Sequence, residues 1–424
     1  MIYFDNAATT IKKPQCVIDA VSSALLTLGN SGRGMHDGSL GASRLIFDTR
    51  EVVSSFFNVG DPNRIIFTSN ATEALNTVIL GMFSPGDHII STVSEHNSVL
   101  RPLYLISDSV MNERKSGMAD SEGCDSVSID RVSVDWVSCD AFGDIDYDSF
   151  EVLRKPNTKA VVMQNGSNLT GNIFDIERIG KWAHENGILM IVDASQTAGI
   201  IPIDMQKMNI DILCFTGHKG LMGPQGTGGI CISPSMNCYI RPLKVGGTGV
   251  QTYSLSQPEQ YPTHLEAGTL NAHGIAGLKA GIEFINSIGL ENIYKHEFSL
   301  YSEFMTQVSQ IHGIKIYGKH EAYGEFAEHT SNEVNCRSDG YREMHLPIVT
   351  LNYREMPSGE FGDCLFDEYG IATRSGAHCT PRLHEALGTM EQGAVRFSFG
   401  YFNTIDEVTE ACEAIKKVVA VTNR

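Results

Sequence analysis

The sequence predicts an α/β protein whose larger part is a mostly parallel sheet flanked by helices, with a smaller α+β domain beside it. Three observations carry this. From about residue 15 to about 280, short β-branched apolar runs alternate with amphipathic stretches, the pattern of crossover connections between parallel strands. Beyond Gly281 the texture changes to long helical stretches with a few strands. At 424 residues the chain is too long for one ordinary core, so two domains are expected.

In chain order, the expected strands of the large sheet are 64–67, 88–91, 159–163, 188–192, 212–215 and 229–232. Between the third and fourth, Ile173 to Asn186 carries Ile176, Ile179, Trp182 and Ala183 on one helical face and stops before Gly187. The large domain is set at 15–280. The small α+β domain takes 1–14 together with 281–424, including strands near 349–352 and 395–399. Polar, aperiodic stretches at 107–130 and 319–343 read as surface loops.

Composition narrows the function classes. A formal net charge of -18 argues against a nucleic-acid partner and for a soluble protein. The opening Met1-Ile2-Tyr3-Phe4-Asp5-Asn6 has no signal-peptide pattern, and no apolar run reaches the length of a membrane span. Ten cysteines are scattered without a Cys-x-x-Cys pair, which points to free thiols and a cytoplasmic location.

The chemistry centres on Phe215-Thr216-Gly217-His218-Lys219-Gly220, where a buried strand breaks into a glycine-rich loop. A lysine there is poorly solvated, its pKa should fall, and its amine suits Schiff-base chemistry with a carbonyl cofactor such as pyridoxal phosphate. The competing reading is a surface lysine in a turn. Asp193 ends the apolar run 188–192, where α/β sheets gather ligands, and can hold a pyridine nitrogen protonated; a helix cap is the alternative. Thr72, at a strand-to-helix turn, offers first-turn amides and a hydroxyl to a phosphate, again against capping. His96 follows another strand and can stack on a ring or move protons, and Asn168 can reach a ring hydroxyl or simply hold a turn.

Late in the chain, Arg374-Ser375-Gly376-Ala377-His378-Cys379-Thr380-Pro381 sets a cysteine beside a histidine and near an arginine, surroundings that favour a nucleophilic thiolate. Buried inert thiols are the alternative, applied to Cys214, Cys231 and Cys412. A metal held by His378, Cys379 and His384 lacks a fourth ligand at a recognisable spacing, so no metal is expected. Arg396, inside an apolar strand, reads as a semi-buried guanidinium that needs an anion, such as a substrate carboxylate.

Together these segments resemble the cysteine desulfurase and selenocysteine lyase family, in the class V aminotransferase group of fold-type I pyridoxal phosphate enzymes. The likeness runs from Tyr3-Phe4-Asp5-Asn6-Ala7-Ala8-Thr9-Thr10 to Arg396. It rests on Glu95-His96-Asn97, Val192-Asp193-Ala194-Ser195-Gln196, Thr216-Gly217-His218-Lys219, Glu266-Ala267-Gly268-Thr269 and Arg374-Ser375-Gly376-Ala377-His378-Cys379, in the family's order. The resemblance implies a seven-stranded-type sheet, pyridoxal 5'-phosphate on Lys219, Asp193 at the pyridinium nitrogen and His96 stacked on the ring. It implies Asn168 and Gln196 near the ring oxygen and Ala71, Thr72, Thr216 and His218 at the phosphate. Thr269 matches a residue contributed by the neighbouring subunit, which implies a homodimer. Arg396 matches the α-carboxylate anchor, with Arg374 nearby, and Cys379 matches the cysteine that takes up sulfur from L-cysteine, or selenium from L-selenocysteine. A sulfur-acceptor protein is the implied partner. The short Arg-x-Gly-x-His-Cys form resembles the subgroup with a compact cysteine loop, in which a His-His-Cys run is frequent, and Ala377 takes the place of the first of those histidines. The other readings are a different reaction of the same cofactor on a small amino acid and, more remotely, a non-catalytic partner in sulfur trafficking.

Overall fold

The structure is a computed structural model that describes residues 1–31, 34, 36–107, 131–320 and 344–422. Apart from Ser107, Lys319 and His320, the two polar stretches expected as surface loops lie outside the described residues. The chain opens with a two-residue strand, β1 (Ile2–Tyr3), and the helices α1 (Gln15–Thr27) and α2 (Asp37–Phe56). The large sheet follows, with β2 (Ile65–Thr68), β3 (His88–Thr92), β4 (Ser133–Val137) and β5 (Thr158–Gln164). It is completed by β6 (Leu189–Asp193), β7 (Ile212–Thr216) and β8 (Gly228–Ile232).

Their spatial order is β2-β8-β7-β6-β5-β3-β4. The five strands from β7 to β4 pair in parallel, and β8 runs antiparallel to both its neighbours. Six of the seven strands fall within one residue of their expected ends. The seventh, β4, was not anticipated: it is an edge strand whose Ser133-Val134-Asp135-Trp136-Val137 mixes polar and apolar residues, and only Val137 is buried. An edge strand with one open side lacks the continuous apolar run that marks the buried ones.

Side chains alternate between the two faces of the sheet. Met190, Val192, Leu213 and Phe215 join one core, while Ile191, Ile212, Cys214 and Ile230 join the other. The helix Ile176–Glu185 packs Ile176, Ile179 and Ala183 on the first face, capped by Asp175, which accepts from Arg178 N at 3.0 Å. Gly187, at φ +68°, turns the chain away from it.

The helix Ala272–Ile288 lies against the loop that follows Lys219. A Cβ on Gly281 would stand 2.3 Å from the Leu221 carbonyl oxygen, so only glycine permits this approach. Past it, β9 (Ile314–Tyr317), β10 (Ile348–Tyr353), β12 (Arg374–Gly376) and β13 (Ala394–Ser398) form an antiparallel sheet in the order β12-β13-β10-β9. The short β11 (Ile371–Ala372) pairs with β1 in a two-stranded sheet of its own, and a bridge from Asp5 to Ser398 ties the N-terminus to the antiparallel sheet. A separate core, including Phe304, Leu351, Phe397 and Ile415, fills it. Among the described residues no helix is long and apolar enough to cross a membrane.

Candidate active site

One pocket, with about 480 Å3 of space between atoms, opens at the carboxyl ends of the parallel strands, where this architecture places its ligands. It is lined by Asn70, Ala71, Thr72, His96, Ser98, Gln164, Gly166, Asn168, Asp193, Ser195, Gln196, Thr216, His218 and Lys219. Eight of these were expected from the sequence in cofactor roles other than Lys219 itself, and each stands at or shortly after a strand end.

β2 turns at Asn70 into α3 (Ala71–Met82), so the first helical turn faces the pocket. Asn70 caps it by accepting from Glu73 N at 2.9 Å, and Glu73 accepts in return from Ser69 N at 2.8 Å. Capping and anion binding are therefore not rivals here: Asn70 does the capping, and Thr72 is free of that duty. Thr72 Oγ1 pairs with Ser98 Oγ at 2.8 Å. The buried Thr216 Oγ1 has no partner among the described residues. An unpaired hydroxyl buried beside a helix N-terminus is what an anionic oxygen would satisfy.

At the other end, β6 delivers Asp193, which is 4% exposed. Ser195 N and Ser195 Oγ both donate to Asp193 Oδ1, the first at 2.9 Å, which leaves Oδ2 for a ligand. Burial raises this carboxyl above its ordinary value, opposed by Ser195 and the Lys219 charge. Beside it, burial lowers the Lys219 ammonium to about 8, helped by the Arg396 and Arg374 charges and opposed by Asp193. A lysine poised there is a nucleophilic amine near neutral pH.

β3 leads to His96, which caps α4 (Asn97–Ile106). Its Nδ1 accepts from Ser98 N at 3.1 Å, so the ring proton sits on Nε2. Burial and the charges of Lys219, Arg374 and Arg396 lower it to about 4, and the ring is neutral. His218 is lowered to about 4 by burial, then by Lys219 and Lys13, and its Nδ1 lies 3.0 Å from Thr9 Oγ1. Gln196 donates to the Ala7 carbonyl at 3.2 Å, and Asn168 Oδ1 is buried without a partner among the described residues.

These residues fit pyridoxal phosphate. An unpaired hydroxyl and a helix start serve a phosphate, a buried carboxylate suits a ring nitrogen, and a depressed lysine suits an aldehyde. The described residues contain no cluster able to hold a metal ion.

The remaining expected residues, Cys379, Arg374, Arg396 and Thr269, are absent from the lining of the pocket. The Cys379 loop is tied to the lining through two of its carbonyls: Asn97 N, next to His96, donates to the Cys379 carbonyl at 2.8 Å, and the Asn168 side-chain Nδ2 donates to the His378 carbonyl at 2.8 Å. Arg374 Nη2 stands 3.8 Å from Cys379 Sγ. The histidine expected to activate this thiol does not face it. The His378 ring is turned into the protein, where its Nε2 meets the Arg374 carbonyl at 3.0 Å, and burial drives its basicity well down. The cationic neighbour of the sulfur is Arg374. Arg396 is not semi-buried: it is 1% exposed, and its Nη2 already holds Asp5 Oδ1 at 2.7 Å while Nη1 donates to the Asn168 carbonyl at 2.8 Å. Its Nε is buried without a partner among the described residues. Thr269 is exposed and absent from the pocket lining.

Sequence reasoning missed Ser98, Ser195, Gln164 and Asp5. Ser98 and Ser195 stand two residues past His96 and Asp193, a spacing at which a hydroxyl folds back on the preceding side chain. Asp5 carried no local signal. The Glu266 of the fourth motif is structural, since it forms a buried ion pair with Arg50 at 2.7 Å and accepts from Phe67 N at 2.8 Å, pinning β2.

The family profile described as Aminotransferase class-V matches residues 2–112 and 127–410. A probable cysteine desulfurase of Methanothermobacter thermautotrophicus is 31% identical over 99% of this chain and 95% of its own length. One of Pyrococcus abyssi is 31% identical over 99% and 94%. The solved apo structure of the cysteine desulfurase from Thermococcus onnurineus NA1 superposes with a TM-score of 0.82, at 30% identity over 99% of this chain and 95% of that one. With its mostly parallel sheet, strand-end pocket and half-buried lysine, the chain belongs to the class-V aminotransferase family.

Proposed function

We infer that this protein is a pyridoxal-phosphate-dependent cysteine desulfurase, converting L-cysteine to L-alanine and passing the sulfur to Cys379. The observation that carries this is the attachment of the Cys379 loop to the pocket through Asn97 and Asn168. The same loop that bears a nucleophile is bonded to residues flanking the lysine and carboxylate of a cofactor site. Its relatives named as cysteine desulfurases support the reaction class.

Pyridoxal phosphate, when held by Lys219, Asp193, His96, Gln196, Asn168 and the phosphate residues Ala71, Thr72, Thr216 and His218, supplies an electron sink for breaking bonds at the substrate α- and β-carbons. Lys219, with its amine near neutral pKa, removes the α-proton. Asp193 holds a proton at the ring nitrogen. Arg396, aided by Arg374, takes the substrate carboxylate. The Cys379 thiolate bonds to the substrate sulfur as the carbon–sulfur bond breaks; the sulfur stays on Cys379 and the three-carbon fragment leaves as alanine. Neutral His96, with its Nε2 proton, exchanges a proton at that sulfur.

We further propose a homodimer in which Thr269 serves the partner's site, a reading supported by its exposure and by the fully exposed apolar side chains Tyr253 and Leu255. The division into a large domain at 15–280 and a small one at 1–14 and 281–424, delivery of sulfur to an acceptor protein, and a cytoplasmic setting belong to the same proposal. The test is alanine release from L-cysteine by wild type and by Cys379→Ala. Loss of release in the variant with retained cofactor absorbance supports the reading; full release by it overturns the role of Cys379.

A further inference from the structure

His378 and Cys379 are consecutive non-glycine residues in the left-handed region, at φ +49° and +61°. Such backbone persists only where its surroundings over-determine it. Two of the restraints are the carbonyl contacts from Asn168 and Asn97. A third lies on the side away from the pocket and has no part in the scheme above. The His378 and His384 rings lie parallel, 8° apart with centroids at 5.6 Å, and meet edge to edge, His378 Nδ1 standing 3.4 Å from His384 Nε2. His384 Nδ1 meets Thr389 Oγ1 at 2.7 Å. All three residues are buried, at 3%, 1% and 2% exposure.

The partners order the protons in this row, taking the 2.7 Å contact of the Thr389 hydroxyl with the ring over its 3.4 Å contact with the His384 carbonyl. A carbonyl oxygen only accepts, so His378 carries its proton on Nε2, toward Arg374. Its Nδ1 is then a lone pair, and His384 must donate from Nε2. That leaves His384 Nδ1 as an acceptor, and the Thr389 hydroxyl donates to it. The order Thr389, His384, His378, Arg374 carbonyl is a one-way chain of neutral groups, in keeping with the lowered basicity of both rings. It ends on the residue whose guanidinium stands by the Cys379 sulfur.

We propose that His384 is a positioning residue for Cys379: through His378 it holds the left-handed turn and the Arg374 backbone so that the thiol and the guanidinium stay together. This deepens the desulfurase reading and rests on it for the role of the thiol. Without His384, His378 Nδ1 is a buried acceptor with no donor, and the ring is free to leave the Arg374 carbonyl.

The experiment compares wild type, His384→Leu, His384→Gln and Thr389→Val. Glutamine can donate to His378 and accept from Thr389, whereas leucine can do neither. Two quantities are read: the rate at which iodoacetamide alkylates Cys379, followed on its own peptide, and the rate at which Cys379 gains sulfur in a single turnover with L-cysteine. His384→Leu and Thr389→Val are expected to change the alkylation rate and slow sulfur uptake by about 10-fold or more, with cofactor absorbance unchanged, and His384→Gln to restore most of both. Should His384→Leu fail to fold, the near-isosteric Thr389→Val carries the comparison with wild type. Wild-type rates in Leu and Val variants, or equal losses in Leu and Gln, overturn the proposal. A wild type that is alkylated normally but never gains sulfur overturns the desulfurase reading instead, and the alkylation rates still decide the positioning role.

Discussion

Gly199 and Gly220 pack backbone against backbone: a Cβ built on Gly199, which sits at φ +84°, would lie 2.4 Å from the Gly220 carbonyl carbon. Gly199 belongs to the turn that follows Asp193, and Gly220 directly follows Lys219. Their contact lies between the segments that carry Asp193 and Lys219, the two groups proposed to hold the cofactor. Gly199→Ala is expected to destabilise by about 1–3 kcal/mol through overpacking and to lower the cofactor absorbance per chain. Gly187→Ala, at φ +68° with nothing within 4 Å of its Cβ, is the control, because it carries backbone strain alone. Thermal melts and absorbance spectra of the two variants check this; equal behaviour would show that the close approach has no role.

Arg396 and Asp5 are 391 residues apart in sequence and 2.7 Å apart in space, with the guanidinium fully enclosed. Breaking such a pair leaves a buried charge without compensation. Asp5→Asn is expected to cost about 3–5 kcal/mol in denaturant unfolding and to raise KM for L-cysteine as the guanidinium loses its fixed orientation. Unchanged unfolding would mean that the pair is not held in solution.

Glu297 lies far from the pocket on the helix Leu290–Val308, is 2% exposed, and has an Oε2 without a partner among the described residues. Burial raises its carboxyl to about 8. The folded value therefore exceeds the unfolded one, and the unfolded chain releases this proton first as pH rises. Stability from this group is complete below the ordinary carboxylate range and is lost as pH rises toward 8, at up to about 1.4 kcal/mol per pH unit. Glu297→Gln stays neutral, so the variant should match wild type near pH 4 and exceed it at pH 8. Parallel stability curves for the two proteins would contradict the assignment.

What the sequence disclosed and what it withheld follow one division. Strands buried on both faces announce themselves as β-branched runs, and the residues just past their ends, Asp193, Thr216, Lys219, His96 and Asn168, line the pocket. Contacts made by distant segments leave no such trace. Asp5 meets Arg396, Thr9 meets His218, and Asn97 meets the Cys379 carbonyl only after the chain has closed on itself. The His378 ring shows the same limit at short range. Adjacency to Cys379 suggested a partner for the thiol, yet the left-handed turn at both residues sends the ring to His384 instead. The edge strand β4 was hidden for a simpler reason, its half-exposed alternation after a long polar stretch.

The most direct test of the account is the mass of the Cys379 peptide after the holoenzyme has been mixed with L-cysteine and quenched. The account predicts one added sulfur on Cys379 in wild type, formed together with alanine, and none in Lys219→Ala. Alanine released while Cys379 remains an unmodified thiol would contradict it.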